Sequence, residues 1–214
     1  MNYLTQIILP SELAAKQKLL ENFQWYGEVW KYFPRRPNSA KDFLFRMDRY
    51  DKEVRVTLAS NREPRRPGWC PAKAWECRNL NAAEPNFYEL PKYRFKVCLN
   101  PTRTTRDNPN KNARVKKQGR HEAILKAPEL REWFYRKAVE NGFKVLAAPE
   151  INISPPVFHR FLQAGHQSTI VGVDFRGTLE VTDKPLFKKV CGQGIGRSRS
   201  FGFGLLVIQP INKI

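Results

Sequence analysis

Negative charge is scarce in this sequence. Only 20 of its 214 residues are Asp or Glu, against 38 Lys and Arg, so the formal net charge is +18 at pH 7. A positive excess of this size is typical of proteins that bind a polyanion. A second interpretation, in which the charge only keeps the protein soluble, remains open.

The sequence also lacks the patterns of a membrane, secreted or metal-binding protein. It has no run of 18 apolar residues and no signal-peptide pattern at its N-terminus. Its four cysteines, Cys70, Cys77, Cys98 and Cys191, form no Cys-x-x-Cys pair, and its three histidines are scattered. We therefore expect no structural zinc and a reducing, cytoplasmic location. We also expect no small-molecule cofactor.

Glycine, by contrast, is concentrated near the end of the chain. Between Gly192 and Gly204 it recurs at 194, 196 and 202, with Arg197, Arg199 and two serines in between. No Gly-Lys-Ser/Thr follows at the Walker A spacing, and the segment precedes a strand rather than a helix, which argues against a dinucleotide fingerprint. Two roles remain open for it, a loop whose amides and arginines contact phosphate and a tight structural turn.

The order of predicted elements in the first half is β-α-β-β-(α)-β. We predict strands at 3–9, 43–47, 54–59 and 93–99, and a helix from Ser11, as a possible cap, to a point before Phe33-Pro34. Within the proline-rich stretch 60–91 we expect loops and one short helix near 73–79. This order is the ferredoxin-like or RRM-like one.

The same order repeats in the second half. We predict helices at 129–141 and 184–190, short strands at 143–146 and 151–153, either a strand pair or one long bent strand over 168–181, and a final strand at 204–208. The fold class is therefore α+β, with two tandem ferredoxin-like domains and a C-terminal glycine-rich loop. We place the N-terminal domain at 1–92 and the C-terminal domain at 93–214.

Positive charge is clustered in three places. The segment 101–120 carries seven cations and one anion, with few apolar residues, and is a candidate RNA-binding loop. Its cations are Arg103, Arg106, Lys111, Arg114, Lys116, Lys117 and Arg120. The second group is Lys31, Arg35, Arg36 and Lys41, and the third is Lys188, Lys189, Arg197 and Arg199. Three such groups favour a long groove over a single pocket. Aromatic residues at 25–33 could stack on unpaired bases, although we expect Trp30 and Phe33 to lie in the core.

Four segments together resemble the CasE family of CRISPR precursor-RNA endoribonucleases of type I-E systems, or a close relative in another CRISPR type. They are 3–10, 29–45 with its Trp-Lys-Tyr-Phe-Pro-Arg-Arg-Pro run, 95–103 with its Asn-Pro turn, and 194–206 with its glycine-rich loop. The glycine-rich loop, with Gly194, Gly196, Gly202 and Gly204, is the most specific of the four. All four occur in the family's order along the whole chain.

The resemblance implies two tandem ferredoxin-like domains and recognition of the stem-loop in a CRISPR repeat. It also implies cleavage at the 3′ base of that stem without a metal, by attack of a ribose 2′-hydroxyl that leaves a 2′,3′-cyclic phosphate. It further implies that the protein stays on the mature crRNA with other subunits of a Cascade-like complex.

One position departs from the family pattern. The resemblance places the family's histidine at Tyr26 and its assisting tyrosine at Phe23, and residues 1–120 contain no histidine. A phenol with a pKa of about 10 is a poor base near neutral pH. Tyr26 could orient the 2′-hydroxyl or donate a proton. The developing charge would be stabilised by Lys31, Arg35, Arg36 or Arg199.

Two further hypotheses for the missing histidine stay open. His121, His159 or His166 could be supplied by the second domain, or the protein could bind RNA without cutting it. A different class of function, a structural RNA-binding protein with RRM-like domains, is disfavoured because the aromatic RNP pattern is missing from the predicted strands. The segment 154–167 could form a hairpin that reaches an RNA groove, with Arg160 as its expected RNA contact.

Overall fold

A computed structural model of the chain describes residues 1–34, 42–83, 86–105, 120–147, 149–163 and 166–211. It does not describe the side chains of Asn81, Ala83, Arg120, Leu162, Gln163 and His166. Within this part of the chain no helix is long and apolar enough to cross a membrane. All four cysteines are free, and burial raises the pKa of the Cys98 and Cys191 thiols to about 12.

The first half of the chain builds a four-stranded antiparallel sheet. Its strands are β1 (Tyr3–Pro10), β2 (Phe43–Arg49), β3 (Glu53–Ser60) and β4 (Trp75–Asn79). They lie in the order β2-β3-β1-β4, which is the ferredoxin-like order. One face of this sheet packs on the two helices that follow β1 and forms a buried core that includes Ile7, Trp25 and Phe45.

The single helix predicted after β1 is broken into two. α1 (Ser11–Lys16) ends before Lys18, whose backbone is left-handed with a φ of 56°. α2 (Asn22–Trp30) then starts afresh, because Gln24 accepts hydrogen bonds from the backbone amides at Leu20 and Glu21. Ser11 is the first residue of α1 rather than its cap, and its hydroxyl donates to the carbonyl of Asp51.

The connection from β3 to β4 differs from the prediction. The prediction of a short helix near 73–79 is wrong. A 3₁₀ helix covers only Ala72–Ala74, and β4 follows it directly. A four-residue helix, α3 (Leu80–Ala83), comes after β4. The predicted strand at 93–99 exists, but assigning it as the fourth strand of the first sheet is also wrong, since it belongs to the second sheet.

The second sheet repeats the same order with additions. Its strands are β5 (Lys92–Leu99), β8 (Phe143–Val145), β9 (Asn152–Ile153), β10 (Val157–Gln163), β11 (His166–Val181) and β12 (Val207–Pro210). β5 lies between β11 and β12, and the short strands β8 and β9 pair with β11 on its other side. The 168–181 region is therefore one long strand, and the last strand begins three residues later than predicted.

Two helices cover one face of this sheet. α4 (Ala127–Glu140) and α5 (Lys184–Gln193) begin with proline in their first turn, and Asp183 caps α5 by accepting from the amide of Leu186. Their buried faces meet rings from the strands, including Phe175, which stacks on Phe134 at 4.4 Å between centroids. A separate two-stranded ribbon, β6 (Thr102–Thr105) with β7 (Arg120–Ala123), flanks the residues 106–119, which lie outside the described part.

The two halves of the chain pack against each other through the sheet faces opposite their helices. Leu44 and Ala59 from the first sheet meet Leu205 in a small apolar cluster, which Val207 extends. The boundary between residues 92 and 93 remains a proposal. It lies at the start of β5, between the two sheets.

An ionic cluster, hereafter the ionic seam, fixes the same junction. Arg46 on β2 is buried, and its Nη2 lies 2.6 Å from Asp48 and 2.8 Å from Asp174 on β11. Lys96 on β5 places its Nζ 2.7 Å from Asp48. Burial by itself would raise the pKa of the Asp48 carboxyl, but its bonds to Arg46 and Lys96 outweigh burial and hold that pKa below its usual value.

Candidate functional site

Tyr26 lies on α2 where this helix meets the second half of the chain. Its half-buried ring lies 6.2 Å from the ring of Phe201 and 6.4 Å from that of Trp30. Trp30 in turn packs edge-on against Phe43 at 4.9 Å, and Phe33 stacks on the same ring. Phe33 is a core residue as expected, whereas Trp30 is only half-buried against that core. The helix that carries the predicted catalytic position therefore touches the glycine-rich loop.

The glycine-rich loop is held in a left-handed backbone path. Gly194, Gly196, Gly202 and Gly204 all have φ between 73° and 85°, and Ser198 has a φ of 61°. Side-chain-bearing residues disfavour this region, which accounts for the glycines.

Backbone and side-chain contacts tie the loop to both halves of the chain. The amide of Gly204 donates to the carbonyl of Cys98 on β5, and Asn100 donates to the Ser198 hydroxyl. A Cβ on Gly202 would lie 2.9 Å from the ring of Phe45 on β2. The loop is thus a tight, packed turn between the two sheets.

The two loop arginines have different partners. Arg199 donates to the carbonyl of Gln193 at the end of α5, at 2.7 Å. Arg197 lies 2.6 Å from Nε2 of His121 on β7, whose Nδ1 lies 3.3 Å from the hydroxyl of Thr104. A guanidinium can only donate, so Nε2 of His121 accepts this bond and its lone pair is not available as a base in this arrangement.

A cluster of rings, hereafter the aromatic seam, joins α2, the β10–β11 hairpin and the loop. Phe23 stacks on Phe161 of β10 at 5.9 Å and 22°, and Phe161 lies 4.9 Å from Phe201. Tyr26 touches the same Phe201. Three elements that are far apart in sequence thus place their rings side by side.

His159 lies at the inner end of this seam. Its ring meets the buried ring of Phe203 edge-on at 5.4 Å, and a Cβ on Gly172 would lie 2.9 Å from its Nε2. Burial lowers the pKa of His159, and the negative charge of Glu21 opposes that shift. His159 is therefore held neutral and packed near neutral pH.

The predicted cations are only partly brought together. Arg160 is exposed on β10 and lines the same shallow pocket as Phe23, Phe161 and Phe201. Lys31 forms an ion pair with Glu28 at 2.7 Å. The carboxylate of Glu28 also accepts a hydrogen bond from the indole N–H of Trp69. Several predicted residues lie outside the described part of the chain, namely Arg35, Arg36, Arg106, Arg114, Lys116, Lys117 and the side chain of Arg120.

Arg103 has partners within its own domain. Its Nη1 lies 3.0 Å from Glu129, and Glu122 is also near. More than half of its side chain is exposed, so these are surface ion pairs of small energy that an RNA phosphate could replace.

Sequence reasoning missed Phe161 and the ionic seam. Phe161 lies within an apolar and basic stretch whose pattern fits a loop equally well, and its contact with Phe23 spans 138 positions of the chain. Arg46 carried a signal that could have found it, because a single cation within the apolar run Phe-Leu-Phe-Arg-Met of a predicted strand calls for an acidic partner.

Known proteins resemble this chain over nearly its whole length. The family described as "CRISPR associated protein" matches residues 2–210. The chain is 27% identical over 215 residues to "CRISPR system Cascade subunit CasE" of Escherichia coli K12, with 98% of this chain and all of the relative covered.

Solved structures show the same fold. The Thermus thermophilus protein Cse3, "bound to an RNA representing a pre-cleavage complex", is 20% identical with a TM-score of 0.72, over 98% of this chain and 100% of that one. Cas6e of Escherichia coli K-12 is 22% identical with a TM-score of 0.66, over the same shares. Tandem ferredoxin-like domains are thus confirmed, and this chain belongs to the family of CRISPR associated proteins.

Proposed function

We propose that this protein binds the stem-loop of a CRISPR repeat RNA and processes the precursor transcript into crRNA. It then remains on the 3′ stem-loop of the product with other subunits of a Cascade-like complex, in the cytoplasm. Family membership and the full-length likeness to a Cascade subunit support this proposal. The net charge of +18 supports a phosphate-rich partner.

The single observation that carries the proposal is the meeting of α2 with the glycine-rich loop. The ring of Tyr26 lies 6.2 Å from that of Phe201, so the predicted reaction position faces a loop from the other domain. Arg160 and Arg199 are exposed close to this junction. A strand of RNA that crosses the junction would meet rings for its bases and cations for its phosphates.

Cleavage requires the 2′-hydroxyl in line with the scissile phosphate and cations for the charge that develops on it. Tyr26 would either orient the attacking 2′-hydroxyl, or donate its phenolic proton to the 5′-oxygen as the P–O5′ bond breaks, while the proton of the 2′-hydroxyl passes to solvent. Lys31, Arg35, Arg36 and Arg199 would stabilise the phosphate in the transition state. Since the described partners of His121 and His159 already hold their rings, neither replaces the missing histidine in our proposal.

The RNA contacts extend beyond the reaction position. We propose that Arg103, Arg160, Arg197 and Arg199 bind phosphates of the stem. The cations of segment 106–120 would bind the stem as well, namely Arg106, Arg114, Lys116, Lys117 and Arg120. The glycine-rich loop would keep the two domains in register on the RNA.

A second function, crRNA binding without cutting, is favoured by one observation. Tyrosine stands at position 26, where the resemblance expects histidine, and a phenol keeps its proton near neutral pH whereas a neutral imidazole can accept one. Such a protein would keep every RNA contact and lack the chemical step.

The test uses the full-length protein, a chelator and the cognate repeat RNA, with Tyr26→His and Tyr26→Phe variants. Cutting by the parent that Tyr26→Phe abolishes would make Tyr26 catalytic. If only Tyr26→His cuts, with a rate gain of about 100-fold or more, the parent is a binder. Failure of all three proteins to bind the hairpin would contradict the proposal.

A further inference from the structure

Phe23 presents an aromatic ring to solvent at the edge of the aromatic seam. The residue is 38% exposed, although it lies on the amphipathic helix α2 whose other large rings are buried or half-buried. One face of its ring stacks on Phe161 at 5.9 Å and 22°. The exposed part of the ring therefore lies away from Phe161.

The ring of Phe23 is backed by a rigid support. Phe161 is 9% exposed and packs at 4.9 Å on Phe201 of the glycine-rich loop. Three rings from three elements thus pack in a row, and the ring of Phe23 at its end is exposed. A ring held in this way loses little further conformational freedom when a flat partner stacks on it.

The surroundings of Phe23 favour a nucleotide base over an aliphatic side chain as its partner. Arg160 lines the same shallow pocket as Phe23, together with Glu21 and Asn22. A flat ring can stack on the exposed part of an aromatic ring without entering the pocket. Exposed cations and a net charge of +18 favour a ring that carries a phosphate, which is a nucleotide.

We infer that Phe23 is a stacking surface for one unpaired nucleobase of the bound RNA. This inference rests on the proposed function and deepens it. Phe23 and Tyr26 are three positions apart on α2 and therefore lie on neighbouring parts of one helix face. A base stacked on Phe23 would hold its adjoining phosphodiester close to Tyr26, while Arg160 would bind a neighbouring phosphate.

The test is a double-mutant cycle between the ring and the base. The RNA is the cognate repeat hairpin with a 2′-deoxyribose at the cleavage position and unpaired nucleotides on both sides of the stem. Each unpaired nucleotide is replaced in turn by an abasic unit. Dissociation constants are measured for the full-length protein and for Phe23→Leu, Phe23→Tyr and Phe158→Leu.

The matched control is Phe158→Leu. Phe158 is an exposed ring on the same strand, β10, but points to the opposite face of the strand from Phe161. Binding of a blunt stem-loop without unpaired nucleotides checks that each variant is folded and still recognises the stem.

We expect one abasic position to weaken binding by the parent protein about tenfold, the size of a single base–ring stack. Phe23→Leu should weaken binding of the intact RNA by the same factor and show no further loss with that abasic RNA. Phe23→Tyr should bind like the parent, and Phe158→Leu should show no coupling to any position.

Two contrary outcomes separate the inference from the function beneath it. If Phe23→Leu and every abasic unit act independently, with the blunt stem still bound tightly, the stacking role is wrong and the proposed function stands. If the parent protein fails to bind even the blunt stem, the proposed function is wrong and the stacking role falls with it.

Discussion

The two domains meet along two seams that use their side chains in opposite ways. In the ionic seam, Arg46 and Lys96 are neutralised by Asp48 and Asp174 at distances of 2.6 to 2.8 Å. In the aromatic seam, the rings are packed on one side and Phe23 remains exposed on the other. The first seam satisfies its charges internally, whereas the second leaves ring surface and cations for a partner.

We infer from this difference that the ionic seam stabilises the fold, whereas the aromatic seam binds RNA. A cation that is already paired and buried gains little from a phosphate, because binding would first have to break the existing pairs. Exposed cations beside an exposed ring give up only weak, solvent-screened contacts when they bind a phosphate. We therefore expect changes in the ionic seam to alter stability, and changes in the aromatic seam to alter RNA binding.

Replacing Arg46 should have the largest effect on stability. Arg46→Leu leaves Asp48 and Asp174 without their shared partner in a mostly buried site, so we expect a loss of about 3–5 kcal/mol in the free energy of unfolding. Urea unfolding measures the loss.

The matched control is Arg55→Leu, which removes an exposed pair with Glu53. It should cost less than about 1 kcal/mol. Equal losses for the two variants would mean that the ionic seam contributes no more than a surface pair.

Altering the turn that supports the aromatic seam should lower the free energy of unfolding by less than Arg46→Leu does. Gly204 has a φ of 85°, and a Cβ there would lie 2.5 Å from the carbonyl oxygen of Ile195. Gly204→Ala should therefore lower the free energy of unfolding by about 2 kcal/mol.

Its control is the glycine near the end of α5. Gly192→Ala meets nothing within 4 Å and should be neutral or stabilise by up to about 1 kcal/mol. Urea unfolding measures both variants. An unchanged free energy of unfolding for Gly204→Ala would contradict the tight-turn role of the loop.

Much of the fold follows from local sequence. The strands β1, β2, β3 and β5 consist of alternating or continuous apolar residues, and α4 has a clean helical period, so pattern alone located them. β4 was missed because its residues, Trp-Glu-Cys-Arg-Asn, are mostly polar on an edge strand. The break at Lys18 was missed because a left-handed lysine has no sequence signature.

The candidate site was harder to predict than the fold. The glycine-rich loop was found because glycine reports a backbone requirement directly. The contacts of Phe23 with Phe161, and of Arg46 with Asp174, join residues more than 100 positions apart and depend on how the domains pack. No local pattern carries that information.

The smallest expected effect is a pH dependence at the inner end of the aromatic seam. Burial lowers the pKa of His159 in the folded protein. As the pH falls below about 6.5, His159 therefore takes up a proton in the unfolded chain before it does so in the folded protein. The stability that neutral His159 contributes is present above that pH and is lost below it.

This pH effect can be measured by comparing two proteins. The free energy of unfolding of the parent should fall more steeply between pH 7 and pH 5 than that of His159→Leu. Parallel curves for the two proteins would show that His159 is not held neutral by its packing.

The contrast between the seams is tested most directly by photo-crosslinking. The cognate repeat hairpin, with 4-thiouridine at single unpaired positions, is bound to the full-length protein, irradiated and mapped by mass spectrometry. We expect crosslinked peptides that contain Phe23 or Tyr26, Phe161 and Phe201. Crosslinks concentrated instead at the ionic seam, on peptides with Arg46 or Lys96, would contradict the assignment of the aromatic seam as the RNA-binding side.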